Sequence, residues 1–174
     1  GTLTGRVAQD LDLPPHVRVC AGAGDNAAAA VGTDTLSDGS CNISVGTSGT
    51  IFIACDQFHL PKNHALHSFA HASGRYHLMG CMLSAASCNK WWQDAIIGTN
   101  DYKGEEAKIA PEMLGRNHVY FLPYLMGERS PINDTNARAM FVGMTMDTAR
   151  ADMTQAVLEG VAFGLRDSLE VARS

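Results

Sequence analysis

The chain has 174 residues, 45% of them apolar and 18% charged, and a formal net charge of −5. That is enough apolar material for one packed core and too little charge for a disordered chain. The acidic balance argues against a nucleic-acid-binding face, and no apolar run approaches the ~18 residues of a membrane-spanning helix.

Residues 1–16 (GTLTGRVAQDLDLPPH) read as a start in mid-structure, with Val7 and Leu11 in a helical stretch closed by a proline pair. They lack a basic start and an apolar h-region, so no signal peptide is expected. VRVCAGAG (17–24) predicts a short buried strand running into a glycine turn. In DNAAAAVG (25–32) the alanine run predicts a helix, with Asp25 a candidate N-cap and Gly32 a candidate stop.

CNISVG (41–46) and TIFIAC (50–55) are strand candidates around a tight GTSG turn, and RYHLMGCML (75–83) is a third. Three such strands in sequence predict an antiparallel meander. SAASCNKWWQDAII (84–97) predicts a helix from Ser84, as N-cap, to Gly98. EEAKIAPEM (105–113) is a weaker helical signal, because Pro111 interrupts it. HVYFLPYLMGE (118–128) opens as a strand and becomes a loop at Pro123, residues 129–139 are a polar loop, and AMFVGM (139–144) is a short buried strand. In 148–174, Met153, Ala156, Val157, Gly160, Val161, Gly164, Leu165 and Ser168 fall on one face at period 3.6. That predicts a long helix capped by Asp147 or Thr148. Its apolar face is still running at Val171 and Ala172, so the domain looks unfinished there.

The five cysteines (Cys20, Cys41, Cys55, Cys81, Cys88) are odd in number and form no CxxC pair. Most lie in apolar runs, where a free cysteine acts as a small hydrophobe, and the usage fits a reducing, cytoplasmic setting.

Four features carry candidate chemistry. Asp25 follows an apolar stretch and a Gly-Ala-Gly turn, which fits either a helix cap or a base that takes a proton from an attacking hydroxyl. Gly46, Thr47, Ser48 and Gly49 fit either an ordinary hairpin turn or a loop whose amides and hydroxyls meet phosphate. His67 and His71 are four apart, as zinc ligands on a helix would be, but their segment reads as strand and turn, which favours core or loop histidines and no metal site. Glu128 and Arg129 fit a mutual ion pair, a loop anchor or an anion contact. Of the adjacent Trp91 and Trp92, core packing is the default for both, with one left for an edge or interface.

Together AGAGDNAAAAVG (21–32), SVGTSGTIF (44–52), HSFAHASGRYHLMGCMLSAASCNKWW (67–92), FLPYLMGERSP (121–131) and AMFVGM with DMTQAVLEGVAFGL (139–165) resemble the FGGY family of carbohydrate kinases. The likeness is greatest to its xylulose-phosphorylating members and runs from about Val17 to the end of the chain. The resemblance implies an α/β, actin-like or ribonuclease-H-like ATPase fold, present in part as the three-strand meander and helices of the second domain. It places residues 1–36 at the end of a first, sugar-binding domain and 37–174 in the first part of a second, ATP-binding one. The family's Asp-x-Gly-Thr phosphate motif and its late glycine-rich adenosine loop have no counterpart in these residues.

The resemblance makes Asp25 the general base, Asn26 a sugar contact, and Gly46, Thr47, Ser48 and Gly49 the ATP phosphate loop. It implies ATP and Mg²⁺, D-xylulose as the sugar, and D-xylulose 5-phosphate as the product of an intact parent enzyme, with this segment inactive alone. A homodimer is a further possibility for the partners. A ribulose- or gluconate-type kinase is the close rival, and a non-catalytic domain is the alternative from another class.

Overall fold

The computed structural model describes residues 1–61 and 64–174. A short helix α1 (Gly5–Asp10), with the Thr4 hydroxyl accepting from the Val7 amide, precedes helix α2 (Asp25–Gly32). Between them the expected buried strand at 17–24 is not formed. Val19 is 49% exposed, and the only pairing among the described residues is a single bridge from Arg18 to Thr2. An apolar run becomes a strand only where a neighbour completes its ladder, and no longer partner lies beside it among the described residues.

Strands β1 (Cys41–Val45), β2 (Gly49–Cys55), β3 (His67–Ala70) and β4 (Tyr76–Met82) form one antiparallel sheet in the order β1-β2-β4-β3. The expected three-strand meander is thus corrected to four strands. After β2 the chain passes over the position next to it, lays β3 at the outer edge, and returns through β4 in the middle. β4 pairs with β2 over seven residues and with β3 over four, so the interior position goes to the longer, more apolar strand.

Consecutive β2 residues Ile51 and Phe52 are both buried, because both faces of the sheet are covered. Ile51 belongs to the main core with Met82, Ala85, Trp92, Val157, Val161 and Leu165. Phe52, on the opposite face, stacks on the His77 ring at 3.9 Å. On that face Asn42 Nδ2 donates to Thr33 Oγ1 and His71 Nε2 meets the Thr35 carbonyl, each at 3.1 Å, so α2 and the turn after it lie against the sheet.

The long helix α5 (Arg150–Arg173) covers the other face and buries Ala156, Val157, Gly160, Val161, Gly164, Leu165 and Ser168, the face read from the periodicity. Its cap differs from the expectation. Ala149 is the N-cap residue and its amide donates to the Asp152 carboxylate at 2.8 Å, while Thr148 Oγ1 accepts instead from the Thr145 amide. α5 lies directly on the small hairpin of β5 (Tyr120–Leu122) and β6 (Met140–Val142): a Cβ at Gly160 would stand 2.2 Å from the Phe121 carbonyl oxygen.

The helix expected over 84–97 is shorter and changes pitch. α3 (Ala86–Lys90) runs into a π-helical turn, Trp91–Ile96. The expected cap, Ser84, makes no capping bond; its hydroxyl is buried without a partner among the described residues. Trp92 is in the core and donates its indole N–H to Thr154 Oγ1 at 3.0 Å, whereas Trp91 is half-buried and stacks on Phe121. A short helix α4 (Tyr102–Glu106) and a 3-10 turn (Pro111–Met113) replace the weak signal at 105–113. The buried Glu105 carboxylate joins α4 to α5 through Arg150 Nε at 3.0 Å.

All five cysteines are free; Cys55 and Cys88 are buried as expected of small hydrophobes, but Cys20 and Cys41 are exposed. No described helix is long and apolar enough to cross a membrane.

Candidate active site

Asp25 is the first residue of α2 rather than its cap, which is Gly24. Two small residues before it and four alanines after Asn26 leave the carboxylate exposed at the helix start. Its Oδ1 accepts from the Asn26 backbone N–H at 2.8 Å and from Asn26 Nδ2 at 3.3 Å. Its Oδ2 has no partner among the described residues, so one oxygen is held and the other faces solvent. Asn26 in turn accepts at Oδ1 from Thr50 Oγ1, 3.4 Å away. That contact ties the start of α2 to the start of β2, and so to the β1–β2 turn.

The turn itself is three residues between the paired Val45 and Gly49. Gly46 N donates to Ser48 O at 2.9 Å, closing it. Its inward carbonyls are taken up by the segment after β4. Ala86 N donates to Gly46 O at 2.9 Å, while Ala85 N, Ser87 N and Ser87 Oγ converge on Thr47 O at 3.0, 3.3 and 2.8 Å. The first amides of α3 have no intrahelical acceptor, and these carbonyls satisfy them in place of the expected Ser84. The amides of Thr47 and Ser48 and both hydroxyls have no partner among the described residues and are exposed. Gly49 is buried, and a Cβ there would sit 3.0 Å from Leu165 Cδ2 and 3.2 Å from Ala85 Cβ, so glycine lets the turn seat against α5 and α3. Beside it, Val45, Ala85, Asn89, Val157 and Val161 line a groove of about 290 Å³.

The structure therefore brings Asp25, Asn26 and the 46–49 turn to one end of the sheet. The outward-facing groups are one carboxylate oxygen, two amides and two hydroxyls, suited to meeting a hydroxyl and an anion side by side. Among the described residues no three or more His, Cys, Asp or Glu side chains are grouped to hold a metal ion. His71 and His77 pack around Phe52 instead, and His71 Nδ1 accepts from the Ser73 amide at 2.9 Å.

Glu128 and Arg129 do not form an ion pair with each other. Arg129 is exposed, whereas Glu128 is 1% exposed and its Oε1 accepts from the amides of Leu83 and Arg129, each at 2.8 Å. Burial pushes its carboxyl above the ordinary carboxylate range, and the two amides pull it partly back. Ser130 completes the anchor: its amide donates to Cys81 O at 3.1 Å and its Oγ accepts from Cys81 N at 3.0 Å. The groove residues Ala85 and Asn89, and the anchoring partner of Glu128, carry no local sequence signal; only tertiary contact reveals them.

Residues 41–174 match the model of the C-terminal domain of the FGGY family of carbohydrate kinases. The xylulose kinase of Klebsiella pneumoniae is 42% identical over 177 aligned residues, which take in 100% of this chain and 36% of that protein. The crystal structure of a xyloylose kinase from Brucella ovis superposes with a TM-score of 0.87 at 40% identity, over 99% of this chain and 36% of the other. A gluconate kinase from Lactobacillus acidophilus superposes with a TM-score of 0.84 at 26% identity, over 97% and 35%. The chain thus spans about a third of the length of these relatives. Its sheet and flanking helices superpose on their actin-like ATPase fold, and the chain belongs to the FGGY family of carbohydrate kinases.

Proposed function

We propose that this chain is the part of an ATP-dependent sugar kinase that carries the base and the phosphate-contacting turn. Residues 1–36 would close the sugar-binding domain, and residues 37–174 would open the ATP-binding one. The sugar is D-xylulose, a reading supported by the 42% identity to a xylulose kinase over the whole chain. In the reaction the sugar hydroxyl gives its proton to Asp25 as its oxygen bonds to the γ-phosphorus of ATP. The bond from that phosphorus to the β–γ bridging oxygen breaks in line, and ADP leaves. The Thr47 and Ser48 amides and hydroxyls hold phosphate oxygens, and the adenosine lies toward the adjacent groove. Mg²⁺, when bound, would supply charge neutralisation on those oxygens.

The observation that carries this reading is the Asn26–Thr50 contact, which sets the free Asp25 oxygen and the unsatisfied turn amides at the same end of the sheet. The test is sugar-dependent ADP release by the full-length enzyme with D-xylulose, D-ribulose and gluconate in parallel. The largest kcat/KM is expected for D-xylulose. A gluconate preference would assign the reading instead to the chemistry named for the Lactobacillus acidophilus neighbour. The 174-residue segment alone is expected to show no turnover.

A further inference from the structure

Glu128 is the most completely buried carboxyl among the described residues, and the proposed reaction does not use it. Its Oε2 has no partner among the described residues, while Oε1 takes the Leu83 amide, the first residue after β4. An ionisable group is costly to bury, so its presence at this point calls for a use. Leu83 leads directly into the segment whose amides occupy the turn carbonyls. Ala86 N holds Gly46 O, while Ala85 N, Ser87 N and Ser87 Oγ hold Thr47 O.

Peptide planarity converts that inward grip into an outward one. In a trans peptide the C=O and the next N–H point in opposite directions. Holding Gly46 O against the connector therefore turns the Thr47 N–H away from it, and holding Thr47 O does the same for the Ser48 N–H. These are the two turn amides left without partners among the described residues. The carboxylate fixes the start of the connector, the connector fixes two carbonyls, and the carbonyls aim two donors.

We propose that Glu128 is a positioning residue for the 46–49 turn, acting through Leu83 and the 84–87 connector to aim the Thr47 and Ser48 amides at an ATP phosphate. The inference rests on the reading of that turn as a phosphate contact. Glu128 touches neither substrate, and it governs ATP geometry rather than sugar geometry.

The test is steady-state kinetics of the full-length enzyme, with KM for ATP and KM for the sugar measured separately. Glu128→Ala leaves the Leu83 and Arg129 amides without their acceptor, and is expected to raise the ATP KM by about tenfold or more with the sugar KM within about twofold. Glu128→Gln keeps an oxygen acceptor and is expected to restore the ATP KM to near the parent value. Ser87→Ala removes one of the bonds on Thr47 O and is expected to raise the ATP KM about two- to threefold, which decides the matter if the alanine variant at 128 does not fold. Equal loss of both KM values without rescue by glutamine overturns the proposal, as does an unchanged ATP KM in Ser87→Ala. Ser48→Pro, which deletes one outward amide, separates the phosphate contact from its positioning. If it leaves the ATP KM unchanged, the phosphate reading of the turn has failed. If it raises the ATP KM while the Glu128 and Ser87 variants do not, only the positioning role has failed.

Discussion

Thr50 Oγ1 donates to Asn26 Oδ1 across 3.4 Å, joining the first turn of α2 to the start of β2. The contact is long for a hydroxyl bond, but it lies between the two features with outward-facing polar groups: Asp25 precedes Asn26, and the 46–49 turn precedes Thr50. If Asp25 is the base, Asp25→Asn removes the proton acceptor while keeping the oxygen that receives the Asn26 amide. In the full-length enzyme kcat is expected to fall by about 10²–10⁴, the usual worth of general-base catalysis, with only a few-fold change in the sugar KM. Near-normal turnover in an ADP-release assay would refute the assignment.

Gly160 is where α5 meets the backbone of β5, with the position of a Cβ only 2.2 Å from Phe121 O. In an exposed helix, Gly→Ala stabilises by roughly 1 kcal/mol. Here the backbone must move, and Gly160→Ala is expected to destabilise by about 1–3 kcal/mol. Gly164→Ala is the control: its Cβ would meet the flexible end of Met82 at 2.9 Å, so its loss should be smaller. Thermal midpoints of the two variants would rank them, and the reverse order would contradict the close approach of α5 to β5 as the cause.

The buried Trp92 indole depends on one hydroxyl, Thr154 Oγ1 at 3.0 Å. Thr154→Val keeps the shape and removes the acceptor, leaving a buried N–H unsatisfied at a cost of about 1–3 kcal/mol. Thr154→Ser should retain most of the stability. A chemical-denaturation midpoint for the valine variant equal to that of the serine variant would show that the bond contributes little.

Local pattern was enough for β2, β4 and the buried face of α5, because period and composition there agree with what tertiary packing demands. It failed where the partner is distant. β3 is only four residues, His67–Ala70, and its edge position is set by pairing with β4. The apolar run at 17–24 carries a strand signal, but no sheet among the described residues receives it. Ser84 is a good cap by type, yet the α3 amides find turn carbonyls instead. At the site, residue types left Asp25 open between cap and base and the 46–49 turn open between hairpin and phosphate loop, and gave no sign that the two meet. For Glu128 the sequence offered its neighbour Arg129 as a charged partner, whereas one of its two bonds comes from Leu83, 45 residues earlier.

His77 and Glu105 each make the fold sensitive to acid. His77 lies buried on Phe52 with the His71 ring beside it, and desolvation together with that neighbour lowers its pKa from 6.5. The unfolded chain then binds a proton more readily than the folded one, so the contribution is complete above about 6.5 and declines as pH falls below it. Glu105 is held at about 2 by Arg150 and Lys108, from an ordinary 4.5, so its contribution is complete above 4.5 and is lost as pH falls toward 2. Glu128 has the opposite sign: its raised pKa favours the folded state at low pH and withdraws that help as pH rises. Between about pH 7 and 5 the Glu105 contribution is still constant, and His77 lowers the thermal midpoint as pH falls while Glu128 opposes it, so the His77 share is read as the difference between the parent protein and a His77 variant over that interval. His77→Phe keeps a flat ring against Phe52 and removes the proton site, and its midpoint should fall less. An equally steep decline in that variant would assign the acid sensitivity to another group.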